Sequence, residues 1–158
     1  MQQPPSLPRS LLTLAGFVLI TFCAPLAGAF SPPGEWYAAL NKPAWNPPAW
    51  IFGPVWTALY LMMAVAAWLV WRHDGWRLAL WLYFTQLVLN AAWTPVFFGA
   101  GKIGWALVVI LAMWVTILCT LLTFIRVNRT AGWMMGPYLA WVSFASVLNF
   151  TLWRMNPG

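Results

Sequence analysis

Five stretches of this chain carry no charged side chain and are each long enough to cross a lipid bilayer: Ser10 to Gly34, Pro43 to Trp71, Leu78 to Gly101, Ile103 to Ile125 and Thr130 to Trp153. A helix rises about 1.5 Å per residue, so about 20 apolar residues cover about 30 Å of hydrocarbon. Lipid offers no hydrogen bonds to the backbone, and runs of this length satisfy themselves as helices, not as open strands. The whole chain is 63% hydrophobic and 6% charged, against roughly 25% charged in an ordinary soluble domain, with a mean hydropathy of +0.75. A soluble globule is excluded. The expectation is an all-α integral membrane protein, a five-transmembrane-helix bundle in one domain, residues 1–158. Its helices are expected over about 10–29, 49–71, 78–98, 104–125 and 132–153, with a lid-like connection over about 30–48.

The first run also has features of a cleaved signal peptide, with Arg9 before an apolar core and Ala27-Gly28-Ala29 after it, but its length and single preceding cation favour a retained helix. Before it, "MQQPPSLPR" is proline-rich and reads as a frayed end. Arg9, Arg72, Arg77, Arg126 and Arg129 fall on the side of the N-terminus, and Lys42, Lys102 and Arg154 on the other. This asymmetry puts the N-terminus in the cytoplasm, in a multi-pass topology whose expected host is a bacterial cell membrane. The net charge of +6 comes from cations scattered singly at helix ends, where anionic headgroups hold them. It calls for the lipid bilayer as partner and for no nucleic acid. Cys23 and Cys119 fall inside expected spans, which argues against a disulfide framework or structural zinc and reads them as small packing residues.

The connection is dense in Pro32, Pro33, Pro43, Pro47 and Pro48, so no continuous helix runs through it. Trp36 to Leu40 has room for one amphipathic turn, Ala24 and Gly28 suit a close helix contact, and "RHDGWR" reads as a tight turn. Polar residues inside the spans recur at helical spacing: Gln86, Asn90 and Thr94 beside Trp93 and Phe97; Trp56, Tyr60 and Met63; and Tyr138, Trp141, Ala145 and Asn149. Three helices thereby offer aromatic walls with a few hydrogen-bonding groups, a pattern that fits an apolar ligand pocket and also fits plain bundle packing. Trp71, Trp76, Trp105, Trp133 and Trp153 lie near helix ends and suit an interfacial belt. Gly132 and Gly136 form a G-x-x-x-G that reads as a contact within the bundle sooner than a dimer seam. Glu35 and Asp74 are the only acids and His73 the only histidine. That leaves no carboxylate pair, no metal-ligand cluster and no ionisable relay for a channel or pump. The Asn128-Arg129-Thr130 and Asn149-Phe150-Thr151 triplets lie at or inside the membrane boundary and are discounted as glycosylation sites.

Three long runs, "WYAALNKPAWNPPAWIFGPVWTALY", "QLVLNAAWTPVFFGAGKIGWAL" and "PYLAWVSFASVLNFTLWRMN", together resemble the translocator protein family, also called TspO, tryptophan-rich sensory proteins or peripheral-type benzodiazepine receptors. The resemblance implies a five-helix bundle, a homodimer, that binds porphyrins, sterols and benzodiazepine-type ligands beneath the first connection. It implies a ligand site of Tyr37, Trp45, Trp56, Tyr60, Asn90, Trp93, Phe97, Trp141 and Ala145, with Trp56 and Asn90 at the positions that hydrogen-bond a ligand carbonyl. No cofactor is expected to be required; the expected ligand is a porphyrin or other tetrapyrrole, for sensing, sequestration or transport. The sterol-recognition tyrosine of animal members is replaced by Phe150, which disfavours a sterol. Within this frame Pro43, Pro47 and Pro48 stiffen a lid, Trp45 and Trp50 cover the mouth, and Lys42 or the backbone meets a ligand carboxylate. Two alternatives stand beside ligand binding: light-dependent porphyrin breakdown, as credited to some members of that family, and a structural scaffold dimer.

Overall fold

Each uncharged run becomes a rod in the computed structural model, which describes residues 6–157. Most of the segment expected to fray, residues 1–5, lies outside the described residues. Of the remainder, Leu7 to Arg9 are already helical, since α1 spans Leu7–Ala29 with Pro8 in its first turn, where a missing N–H leaves nothing unsatisfied. A five-residue helix, α2, follows at Glu35–Ala39, the single turn expected in the connection. The second rod, α3, is Ala49–Asp74. It carries Arg72, His73 and Asp74 beyond the expected end and stops at Gly75, whose φ of 67° is open to glycine at no steric cost. The tight turn expected at "RHDGWR" is therefore confined to Gly75, Trp76 and the extended Arg77.

The third rod begins as α4, Leu78–Thr94, and continues as a π-helical turn over Pro95–Gly99. Pro95 has no N–H and its ring crowds the preceding turn, so the ladder widens there: Ala100 N–H reaches back to Pro95 O at 2.9 Å. The fourth rod, α5, is Ile103–Val127. The fifth departs from the single helix expected over about 132–153. A short α6, Arg129–Met134, starts inside the expected connection, capped by the Asn128 side chain, which accepts from Ala131 N–H at 3.0 Å. The chain then steps at Met135 into α7, Gly136–Met155, with Pro137 in its first turn. A simple count of five helices is thus a slight simplification. α1, α3 and α5 are individually long and apolar enough to cross a membrane, whereas α4 is shortened by Pro95 and α7 is diluted with Ser, Asn, Thr and Gly.

α5 packs along both α4 and α7, and α1 along both α3 and α4, while α3 and α7 touch only sparsely. Met63, Tyr83, Gln86, Phe124 and Tyr138 are fully buried at the centre. Outside, Leu12, Leu19, Trp81, Val88 and Val115 face outward, the inverse of a soluble surface and suited to lipid. Trp76, Trp105, Trp133 and Trp153 are exposed near helix ends, whereas Trp71 is half-buried. Cys23 and Cys119 also face outward, so they are not the packing residues expected of them; on each helix the neighbouring Ala24 and Thr120 turn inward instead. Ala24 is buried, and a Cβ on Gly28 would lie 3.0 Å from Thr94 Cγ2. α1 thus approaches α4 as closely as its small residues allow.

Candidate functional site

The gap that keeps α3 and α7 apart is a cavity of about 850 Å³, within the usual 300–1,000 Å³ of small-molecule sites. It lies beneath the first connection and takes lining from every long rod: Pro25 and Gly28 from α1, Phe52, Trp56 and Tyr60 from α3, Asn90, Trp93 and Thr94 from α4, Ile110 and Met113 from α5, and Trp141, Ala145 and Asn149 from α7. Tyr37, Lys42, Asn46 and Pro47 close it from the connection, and Phe97 and Phe98 from the π turn.

Helical spacing makes the walls. Trp56 and Tyr60, one turn apart on α3, stack at 5.4 Å, and Trp56 meets the Tyr138 edge at 6.1 Å. Trp93 stacks on Phe97 at 5.0 Å, a four-residue offset carried into the wider turn. Tyr37 sets its edge against Phe97 and Phe98 at 6.1 and 5.1 Å, which seats α2 on the π turn. Trp141 stands against Phe52 of α3 and Phe144 of its own helix.

The polar groups are largely committed to one another. Tyr60 donates to Asn90 Oδ1 at 2.7 Å, Asn90 Nδ2 donates to Tyr138 Oη at 3.0 Å, and Tyr138 donates to Gln86 Oε1 at 2.7 Å. Trp93 Nε1 donates to Asn149 Oδ1, and Asn149 Nδ2 to Ile103 O, both at 3.0 Å. The Lys42 ammonium donates to the carbonyls of Tyr37, Ala38 and Leu40 at the end of α2 and lies 4.6 Å from the Tyr37 ring centre. It is engaged as a helix cap, not left free for a ligand carboxylate as expected. Burial pushes the Tyr37 phenol up, and the Asn46 side chain beside it partly offsets the rise.

Of the residues expected at the site, Tyr37, Trp56, Tyr60, Asn90, Trp93, Phe97, Trp141 and Ala145 come together around this one space. Trp45 does not. Pro43 O accepts from Asn46 N–H at 2.9 Å, closing a turn with Ala44 and Trp45 at its corner. The Trp45 ring swings outward, half exposed, against the edge of Phe144 at 5.9 Å. Trp50 is exposed as well, so neither tryptophan covers the mouth; Tyr37, Asn46 and Pro47 do. Asn46, Phe98, Met113 and Pro25 went unanticipated. The Asn46 signal lay in its place, one residue beyond the corner of a proline turn. Among the described residues no group of His, Cys, Asp or Glu could hold a metal ion.

The TspO/MBR family model matches residues 14–154. The chain is 44% identical to the tryptophan-rich sensory protein of Cereibacter sphaeroides over 129 residues, covering 82% of each. It is 41% identical to the translocator protein of Homo sapiens over 151 residues, 90% of this chain and 89% of that one. It is 36% identical to protein CrtK of Rhodobacter capsulatus over 153 residues, 94% and 96% of the two.

Proposed function

The chain belongs to the TspO/MBR family of membrane proteins, and from that premise we propose that it is a receptor-like protein that binds a porphyrin or other tetrapyrrole inside its bundle. The observation that carries the reading is the cavity of about 850 Å³ walled by Trp56 and Tyr60, Trp93 and Phe97, and Trp141. A flat conjugated ring gains about 0.5–1.5 kcal/mol per aromatic contact beyond its buried area, and three walls from three helices let one ring find several such contacts. Lipid bathes the outside, so an apolar guest has a hydrophobic route to the site. A sterol is disfavoured, since Phe150 stands where the sterol-recognition motif of animal members has a tyrosine and so offers no hydroxyl there. We further propose that the N-terminus lies in the cytoplasm of a bacterial cell, on the support of Arg9, Arg72, Arg77, Arg126 and Arg129 collecting on its side, with the covered mouth on the opposite face, and that the protein works as a homodimer.

Ala145 is a small residue on the cavity wall, so Ala145→Phe fills the space without burying a polar group. Titration with protoporphyrin, followed by tryptophan fluorescence, is expected to give saturable quenching in the parent protein and at least tenfold weaker binding in Ala145→Phe, with Trp76→Ala as an unaffected control. Equal quenching in all three would sink the reading. Illumination with excess porphyrin separates turnover from binding: product beyond one equivalent would favour the light-dependent alternative.

A further inference from the structure

A second hollow lies on the outside of the bundle, at the end that holds the first connection. It is an open groove of about 940 Å³ between α2, the start of α5 and the end of α7, with Trp36, Leu40, Lys102, Val108 and Trp153 among its walls. Its two ends differ in kind. Lys102 stands just before the first turn of α5, whereas Val108 lies about 9 Å further along that helix at 1.5 Å per residue, exposed on an apolar face suited to hydrocarbon. Trp36, Trp105 and Trp153 border the groove and are exposed, as indoles are where a membrane meets water. Gly104 gives the groove its depth. A Cβ there would lie 3.0 Å from Trp153 Nε1, so the bare backbone lets that indole lie close against α5.

The polar groups of the groove are unevenly spent. Asn41 and Asn156, both in its wall, bond each other through the Asn41 N–H and carbonyl. Lys102 is different: it is exposed, and among the described residues its ammonium has no hydrogen-bond or carboxylate partner, the one ion pair joining Arg77 to Asp74 at the opposite end of the bundle. No carboxylate lines the groove. We propose that this groove seats one anionic phospholipid, its phosphate on the Lys102 ammonium and an acyl chain laid along Leu107 and Val108 beside Trp153. Charge complementarity selects the headgroup, since a net negative head meets a free cation here, whereas the amine of a zwitterionic head meets no counter-ion. A soluble anion would use only the charged end, and a sterol, with a neutral hydroxyl, only the apolar one. Phe150 and Arg154 of the altered sterol motif are not part of the wall. The seat joins the connection to α5 and α7, so its lipid steadies the cover of the inner cavity from outside.

Delipidated full-length protein in detergent, titrated with dioleoyl phosphatidylglycerol or dioleoyl phosphatidylcholine and followed by native mass spectrometry, reads the site directly. One phosphatidylglycerol is expected to bind about fivefold more tightly than phosphatidylcholine, the worth of one charge at a membrane surface. Lys102→Gln is expected to remove that preference while holding phosphatidylcholine within about twofold, and Lys102→Arg to keep it. Arg129→Gln takes an exposed cation from the other end of the bundle and leaves the preference unchanged. Val108→Trp fills the groove at an exposed apolar position and weakens both lipids at least fivefold. Phosphatidylglycerol is also expected to slow amide exchange over residues 35–46 in the parent protein and not in Val108→Trp. Equal affinity for the two lipids, a preference that survives Lys102→Gln or falls as far in Arg129→Gln, or full binding by Val108→Trp overturns the inference. So does slowing of that exchange by inorganic phosphate or cholesterol to the same degree. Lys102 and Val108 both face outward, so each outcome is read in folded protein.

Discussion

Asn90 touches both the cavity and the buried core, and its role there differs from that of a free ligand anchor. Its oxygen and nitrogen are taken by Tyr60 and Tyr138, so one amide ties α3, α4 and α7 together. Asn90→Ala leaves two buried hydroxyls short of a partner, and is expected to destabilise the bundle by about 1–3 kcal/mol. Thermal unfolding in detergent reads this, and a melting temperature equal to the parent's would refute the bridging role. Tyr37 and Trp45 make a second contrast. The proline-rich connection promised an indole over the mouth, yet the ring that closes the cavity is the phenol of Tyr37, seated on Phe97 and Phe98. Tyr37→Ala is therefore expected to weaken porphyrin binding about tenfold or more, as loss of a buried aromatic contact does. Trp45→Ala should stay within about threefold, because an exposed side chain has little burial to lose. Reversal of that order in a quenching titration would restore Trp45 as the cover.

Among the elements, the α5–α6 junction and the connection show where close approach and long-range tying matter. A Cβ on Gly132 would fall 2.1 Å from Ile125 Cγ1 and 2.7 Å from Ile125 N, whereas one on Gly136 would meet nothing within 4 Å. The G-x-x-x-G is thus a contact inside one chain, and only its first glycine is needed there. Gly132→Ala is expected to lower the yield of folded protein sharply, since the backbone of α5 must move, while Gly136→Ala is tolerated; size-exclusion profiles after extraction check both. The connection is pinned from the far end of the sequence. Asn41 N–H donates to Asn156 Oδ1 at 2.9 Å, and Asn156 Nδ2 donates to Asn41 O at 3.0 Å and Leu152 O at 2.9 Å. Asn156→Ala removes the tie from the end of α7 to the connection. Amide exchange over residues 35–46 is expected to quicken by about 5- to 30-fold, which corresponds to about 1–2 kcal/mol of lost local stability. Unchanged exchange there would show that the aromatic contacts of α2 hold the connection alone.

At the scale of the whole molecule, the bundle is closed along α1, α4 and α5 and left open between α3 and α7, where the cavity lies. A guest that fills that space couples the two sides. Protoporphyrin at about 100 times its dissociation constant is expected to add about 2.7 kcal/mol of stability, read as a rise in melting temperature that Ala145→Phe does not show. Much of this architecture was legible in the sequence because its cause is local and chemical: uncharged runs of bilayer length must be helices, and a four-residue recurrence must put Gln86, Asn90 and Thr94 on one face. The same periodicity marked Trp56 with Tyr60, Trp93 with Phe97, and Trp141 with Ala145. What periodicity cannot carry is the meeting of separate elements. Whether Asn90 bonds a guest or two tyrosines, whether Lys42 is free or capping a helix, and whether Trp45 or Tyr37 faces the mouth depend on neighbours distant in the chain and on a single turn at Pro43. The composition settled that the long uncharged runs, the one holding Asn90 among them, would form membrane-spanning helices. Tertiary packing alone decided which polar atoms found partners, because a hydrogen bond is set by ångström distances between helices that no spacing along one helix specifies.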